Sequence, residues 1–140
     1  MSDRRAIGGF HRGTLLAASL LGLTGVALGA WTAHGLADFL GPERSVRLPS
    51  METGVRYQMT HAVALLALAA LPVRSRLRTT AAVALAVGTL VFSGSLYLLT
   101  LTGVTKWGAV TPIGGLLLLV GWATLAAAAI RSPDRGEPDT

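Results

Sequence analysis

The chain contains no cysteine, which excludes disulfides, thiolate nucleophiles and any metal site built on thiolates. Charge is scarce as well: Asp, Glu, Lys and Arg make up only 14% of the residues, too little to cover the surface of a soluble domain of this length. Also missing are the H-E-x-x-H, G-x-S-x-G and phosphate-loop patterns, so no hydrolase or nucleotide-binding motif points to an enzyme. Three histidines with no carboxylate inside an apolar run make a weak metal set. No metal and no cofactor is implied.

The basic excess, 12 Lys and Arg against 7 Asp and Glu, would suit nucleic acid if it formed a patch. Instead it falls in clusters between apolar runs, without the aromatic–basic interleaving that binds single strands. Its reading is topological, and the implied partner is the lipid bilayer.

What the chain does have is apolar length. Four runs stand out, at about 14–35, 55–73, 81–101 and 111–130. Each is near the roughly 20 residues that cross a hydrocarbon core. The expected fold is an all-α polytopic membrane protein, four transmembrane helices in an up-down bundle. Residues 1–13 form a basic N-terminus, 14–130 the membrane domain and 131–140 a charged, disordered tail. The last run opens with Thr111-Pro112, read as an N-cap followed by proline at the first helical position. Arg74–Arg78 reads as a short basic loop. Ala37–Gly54, with Gly41-Pro42 and Pro49, reads as a longer connection along the interface.

Orientation follows from the basic residues flanking the runs. Arg4, Arg5, Arg12, Arg74, Arg76, Arg78, Arg131 and Arg135 fall on one side, and Arg44, Arg47, Arg56 and Lys106 on the other. The richer side is cytoplasmic, which places both termini there. Trp31, Tyr97 and Trp107 then fall near the outer interface. Arg4, Arg5 and Arg12 before an apolar run also describe a signal peptide, with Ala27-Leu28-Gly29 as its cleavage site. The run continues to Gly35, longer than a usual signal core, and cleavage would leave an odd number of crossings.

Small residues repeat at helical spacing. Gly22, Gly25 and Gly29 share a face of the first run with Ala18 and Thr32. Ala82, Ala86, Thr89, Ser93, Tyr97 and Thr100 do the same in the third run, and Gly114, Gly121 and Ala128 form a weaker seam in the fourth. Such stripes let helices approach closely, within the bundle or between copies of a homo-oligomer.

The polar residues are concentrated in Glu52–His61. Tyr57, Gln58 and His61 share a face about 100° wide, while Glu52 and Arg56 point the opposite way. Glu52 and Arg56, spaced i,i+4 in the favourable order, are expected to pair at the outer interface or to contact a lipid headgroup. His61, about two turns inside the run, finds Ser93, Ser95 and Tyr97 at similar depth on the third run. Together these six make a candidate outward-facing polar pocket. His61 reads either as a satisfied structural histidine or as a group for proton transfer or ligand binding. The inner half is Leu, Ala and Val, without the polar path that a channel or carrier needs.

Four blocks carry a family resemblance: Gly29–Leu36, Glu52–Ala62, Phe92–Leu98, and Thr111–Gly115 with Gly121-Trp122. On these the chain resembles the YgdD-like family of small inner-membrane proteins of unknown function, which has mitochondrial-type relatives in eukaryotes. It departs from the family at Trp31-Thr32, where an aromatic–Gly pair is usual, and at Thr60, where Tyr is common. The resemblance implies a four-helix protein of the bacterial inner membrane and transfers no activity. The expected role is non-enzymatic, a binding, assembly or accessory subunit. The alternative is a small-solute or proton transporter using His61 and Tyr57.

Overall fold

The computed structural model describes residues 2–70 and 76–131, with side chains from residue 12 onward. Its regular structure is helical throughout: α1 (Ser2–His34), α2 (Leu36–Leu40), α3 (Arg44–Ala70), α4 (Arg76–Thr102) and α5 (Thr111–Ile130), with 3-10 turns at Gly41–Glu43 and Thr105–Ala109. The segments Arg12–His34, Arg76–Thr102 and Thr105–Ile130 are long and apolar enough to cross a membrane. α3 matches α4 in length, but Arg56, Gln58 and His61 interrupt its apolar sequence, and it falls short of that apolarity. The fold explains the shortfall: Gln58 and His61 are turned toward neighbouring helices and buried.

The helix bounds differ from the expected runs where proline and glycine punctuate the chain. Ala37–Gly54 is not an irregular connection. Leu36–Leu40 forms a short helix, Gly41 turns the backbone at φ 55, and α3 then starts at Arg44 rather than Val55. Pro49 lies inside α3, at its sixth residue, so the helix there forgoes the hydrogen bond that the residue's N–H would make to the carbonyl of Ser45. Likewise, Arg76–Arg78 belong to α4 rather than to a basic loop. Pro72, Arg74, Ser75 and the tail from Ser132 lie outside the described residues. α4 ends at Gly103, whose φ of 70 suits glycine and stops the helix. α5 begins at Thr111 as anticipated, but its N-cap residue is Val110 and Thr111 makes no side-chain cap. The Thr111 hydroxyl is turned instead to Ser95 Oγ, 2.8 Å away.

Each long helix packs antiparallel on the next long helix in sequence. Residue numbers rising on one side meet falling numbers on the other: Gly25 and Gly29 of α1 face Met59 and Val55, and Leu85 and Phe92 of α4 face Gly121 and Gly114. Among the described residues α1 and α5 have no comparable contact. The helices therefore form an open layer, in the order α1, α3, α4, α5, with two free edges. A buried apolar cluster runs along its middle, through Ala18, Leu21, Ala62, Leu65, Leu68, Ala82, Leu85 and Leu118. A smaller one, Leu36, Leu40 and Met51, seats α2 on the end of α3.

In lipid, helix association depends on packing and hydrogen bonds rather than on a hydrophobic gain, so glycine seams matter. The α4–α5 seam, the weaker one by sequence, is the tightest. A Cβ on Gly114 would collide with the Phe92 backbone, and one on Gly121 would lie 2.7 Å from Leu85 Cδ2. Gly88 reciprocates from α4, where a Cβ would lie 2.9 Å from the Leu118 backbone nitrogen. In α1, Gly25 and Gly29 do meet α3, whereas a Cβ on Gly22 would meet nothing within 4 Å.

Candidate functional site

The six residues of the expected pocket do not meet in one place. Gln58 turns toward α1 and α4, and it is buried at 4% exposure. Its Nε2 donates to Leu21 O and to Thr24 Oγ1, both at 2.8 Å, while its Oε1 accepts from the Tyr97 hydroxyl at 2.8 Å. One amide thus joins three helices. Ser93 Oγ donates to Gly54 O at 2.8 Å, where the bare glycine lets the Tyr97 ring lie flat on the backbone: a Cβ there would come 2.6 Å from the ring. Ser95 faces the other way, toward Thr111 at the start of α5. Thr100 Oγ1 donates to Leu96 O of its own helix at 2.8 Å and also lies 3.3 Å from Arg47 O at the start of α3.

His61 has different partners from those expected. Its Nε2 lies 3.2 Å from Nε1 of Trp122 on α5, and its Nδ1 lies 2.8 Å from Tyr57 O. Indole nitrogen can only donate and a carbonyl can only accept. The ring is therefore neutral, with its proton on Nδ1, bonded on both sides. α5 is apolar apart from Thr111 and Thr124 and carries no polar stripe that marks Trp122; only its place in the resemblance points to it.

Tyr57, one turn before His61, stacks on Phe92 with ring centroids 4.4 Å apart. With Trp122 and residues of the first turns of α5, these rings line a groove of about 540 Å³ between α3 and α5, floored by α4. Its walls are Tyr57, His61, Phe92, Pro112, Leu119 and Trp122, with Gly115 opening space at the middle. Tyr57 and Trp122 remain 40% and 47% exposed. The concavity is thus aromatic and apolar. Among the described residues no buried side-chain nitrogen or oxygen lacks a hydrogen-bond partner.

Glu52 and Arg56 lie on another side of α3, as the helical spacing requires, but they do not pair with each other. Both are exposed and border a separate cavity of about 280 Å³ between α3 and α1, together with Gly29, Thr32, Ala33 and Val55. The ion pair of this region is Glu43–Arg47, with Arg47 held over Gly103 at the end of α4.

Residues 28–115 match the family described as a protein of unknown function, DUF423. The inner membrane protein YgdD of Escherichia coli strain K12, a UPF0382 protein, is 41% identical over 125 residues, covering 87% of this chain and 92% of that protein. The chain belongs to the UPF0382 family. A UPF0382 membrane protein of Haemophilus influenzae is 40% identical over 117 residues, 81% of this chain and 90% of the relative. YwdK of Bacillus subtilis, a UPF0382 membrane protein, is 37% identical over 114 residues, covering 78% and 89%. No solved structure matches. The DUF423 match takes in Gln58, Tyr97 and Gly54, on which the Tyr97 ring packs, and stops before Trp122. The UPF0382 family itself carries no assigned activity, so function rests on the geometry.

Proposed function

We propose that this chain is a four-span protein of the bacterial inner membrane, with both termini cytoplasmic, that acts by binding a lipid chain in the groove between α3 and α5. The positive-inside distribution supports the orientation. α3 is the fourth crossing, its Gln58 and His61 covered by α1, α4 and α5. The observation that carries the binding reading is the contrast between the two kinds of surface. The buried polar side chains are consumed by hydrogen bonds inside the chain, whereas the open concavity is lined by Phe92, Leu119, Trp122 and their neighbours. A groove of about 540 Å³ lies within the 300–1,000 Å³ or so of small-molecule sites, and its lining matches hydrocarbon. Proton or solute conduction would instead need unpaired polar groups along a path to both faces.

The test is lipid retention by the full chain purified in nanodiscs, read by native mass spectrometry, for the wild type and for Gly115→Leu, which fills the groove from one wall. Retained lipid that Gly115→Leu removes, with helicity unchanged, is the expected result. A proton or solute flux in liposomes abolished by His61→Ala would replace the binding reading with transport.

A further inference from the structure

The second cavity, between α1 and α3, is unlike the groove in its chemistry. Two charged side chains of opposite sign border it, and the rest of its lining is small or aliphatic: Gly29, Thr32, Ala33 and Val55. Glu52 and Arg56 have the same i,i+4 spacing and order as Glu43 and Arg47. The earlier pair closes on itself, whereas Glu52 and Arg56 stand open on the cavity rim. No other charged side chain lines it, and the Thr32 hydroxyl is already donated to Leu28 O at 2.7 Å. The site therefore offers one cation, one anion and a shallow apolar floor.

Its position adds a second constraint. Gly29–Ala33 is the last part of the apolar run of α1, just before His34 ends the helix, and Glu52 precedes the apolar part of α3. Under the placement proposed above, on which this inference rests, the cavity lies where hydrocarbon gives way to headgroups. It does not depend on what occupies the groove.

We propose that the cavity bordered by Glu52 and Arg56 holds the headgroup of a zwitterionic phospholipid bearing a primary ammonium, with its phosphate on Arg56 and its ammonium on Glu52. The two side chains stand one helical turn apart, about 5–6 Å between Cβ atoms, a span that phosphate and ammonium joined by two carbons bridge. Arg56 supplies a fork of donors for the phosphate oxygens. Glu52 accepts from an ammonium that has N–H groups to give. A trimethylated ammonium offers none, and an anionic headgroup without an amine sets its charge beside the carboxylate unrelieved. The small floor residues leave room for the glycerol, and a longer side chain at Ala33 would occupy it.

The experiment uses the full chain in nanodiscs of equimolar phosphatidylethanolamine, phosphatidylglycerol and phosphatidylcholine, with bound lipid read by native mass spectrometry. Exposed charge contacts are worth about a two- to fivefold effect each. The wild type should therefore retain phosphatidylethanolamine over each of the others by a factor in that range. Glu52→Gln should abolish the preference over phosphatidylglycerol, Arg56→Gln should lower retention of all three lipids, and Ala33→Leu should remove the preference while leaving the fold intact. Equal retention of the three lipids, or a preference that survives Glu52→Gln, overturns the proposal. Glycerophosphoethanolamine bound by the chain in phosphatidylcholine-only nanodiscs, with no excess of phosphatidylethanolamine retained from the mixed nanodiscs, overturns the lipid assignment in favour of a soluble zwitterion. Gly115→Leu serves as the separating control: a headgroup preference that it leaves unchanged supports this site apart from the groove, whereas one that it abolishes overturns the site's independence.

Discussion

Replacing Gln58 with leucine keeps the side chain's bulk and deletes one amide that serves three helices. Three hydrogen bonds vanish: two donated from Nε2 to Leu21 O and Thr24 Oγ1, and one accepted from Tyr97. Their loss is unequal in effect. Thr24 Oγ1 still donates to Leu20 O at 2.7 Å, so it is not orphaned, whereas the half-buried Tyr97 hydroxyl loses Gln58 and is left with the neighbouring Ser93. Interhelical hydrogen bonds in membranes are worth about 0.6 kcal/mol on average and up to about 2 kcal/mol each. Three such bonds give a destabilisation of about 2–4 kcal/mol. Tyr97→Phe alone removes one bond, at a cost of about 1 kcal/mol. The bond between the two side chains is lost in each single variant but only once in the double, which should therefore cost less than the sum of the two single changes by about 1 kcal/mol. The assay is equilibrium unfolding in mixed micelles of rising SDS fraction, followed by far-UV circular dichroism. Additive effects would mean that Gln58 and Tyr97 are not bonded in the folded protein. A Gln58→Leu cost below about 0.5 kcal/mol would show that the amide does not join these helices.

The glycines should separate sharply when each is changed to alanine. Gly22→Ala, which meets nothing, should leave stability within about 0.5 kcal/mol or raise it slightly. Gly25→Ala, opposed by the flexible end of Met59, should cost about 1 kcal/mol, and Gly114→Ala, opposed by the Phe92 backbone, about 3 kcal/mol, all by the same SDS titration. In nitrogen-resolved NMR, His61 should show a protonated Nδ1 and a bare Nε2, and Trp122→Phe should shift the Nε2 resonance; the opposite tautomer would remove the indole donation. Because the natural chain has no cysteine, single replacements report topology directly. In spheroplasts, Lys106→Cys should react with an impermeant maleimide from outside, and Arg131→Cys only after the membrane is opened.

Apolar length was enough to locate the four long helices, since a run such as Ala81–Leu101 has no competing reading. Proline and glycine misled at the edges. Gly41-Pro42 and Pro49 read as loop, yet Pro42 opens a 3-10 turn, where the first donors are unpaired in any case, and Pro49 sits inside α3 at the loss of one backbone bond. The polar cluster was legible as residues but not as an arrangement. A face about 100° wide is broad enough to touch several neighbours, so Gln58 goes to α1 and α4, Tyr57 stacks on Phe92 of α4 and His61 reaches α5. Helical spacing separated Glu52 and Arg56 from them correctly, but it could not show that a cavity lies between those charges and α1. Trp122 escaped for the opposite reason: one polar nitrogen on an otherwise apolar helix carries no periodic signal.

The open order α1, α3, α4, α5 has a consequence for how the chain enters the membrane. α3 is the least apolar of the long helices, and its polar groups are matched in the order of synthesis. Gln58 Nε2 is taken by Leu21 and Thr24 of the helix already made. Gly54 O and Gln58 Oε1 wait for Ser93 and Tyr97 of the next helix. His61 Nε2 waits for Trp122 of the last. Each emerging helix thus meets its docking partner already in place, and no contact between first and last helix has to be awaited. In the four-span arrangement proposed above, insertion can proceed hairpin by hairpin, with α3 held by α1 until α4 and α5 complete its bonds.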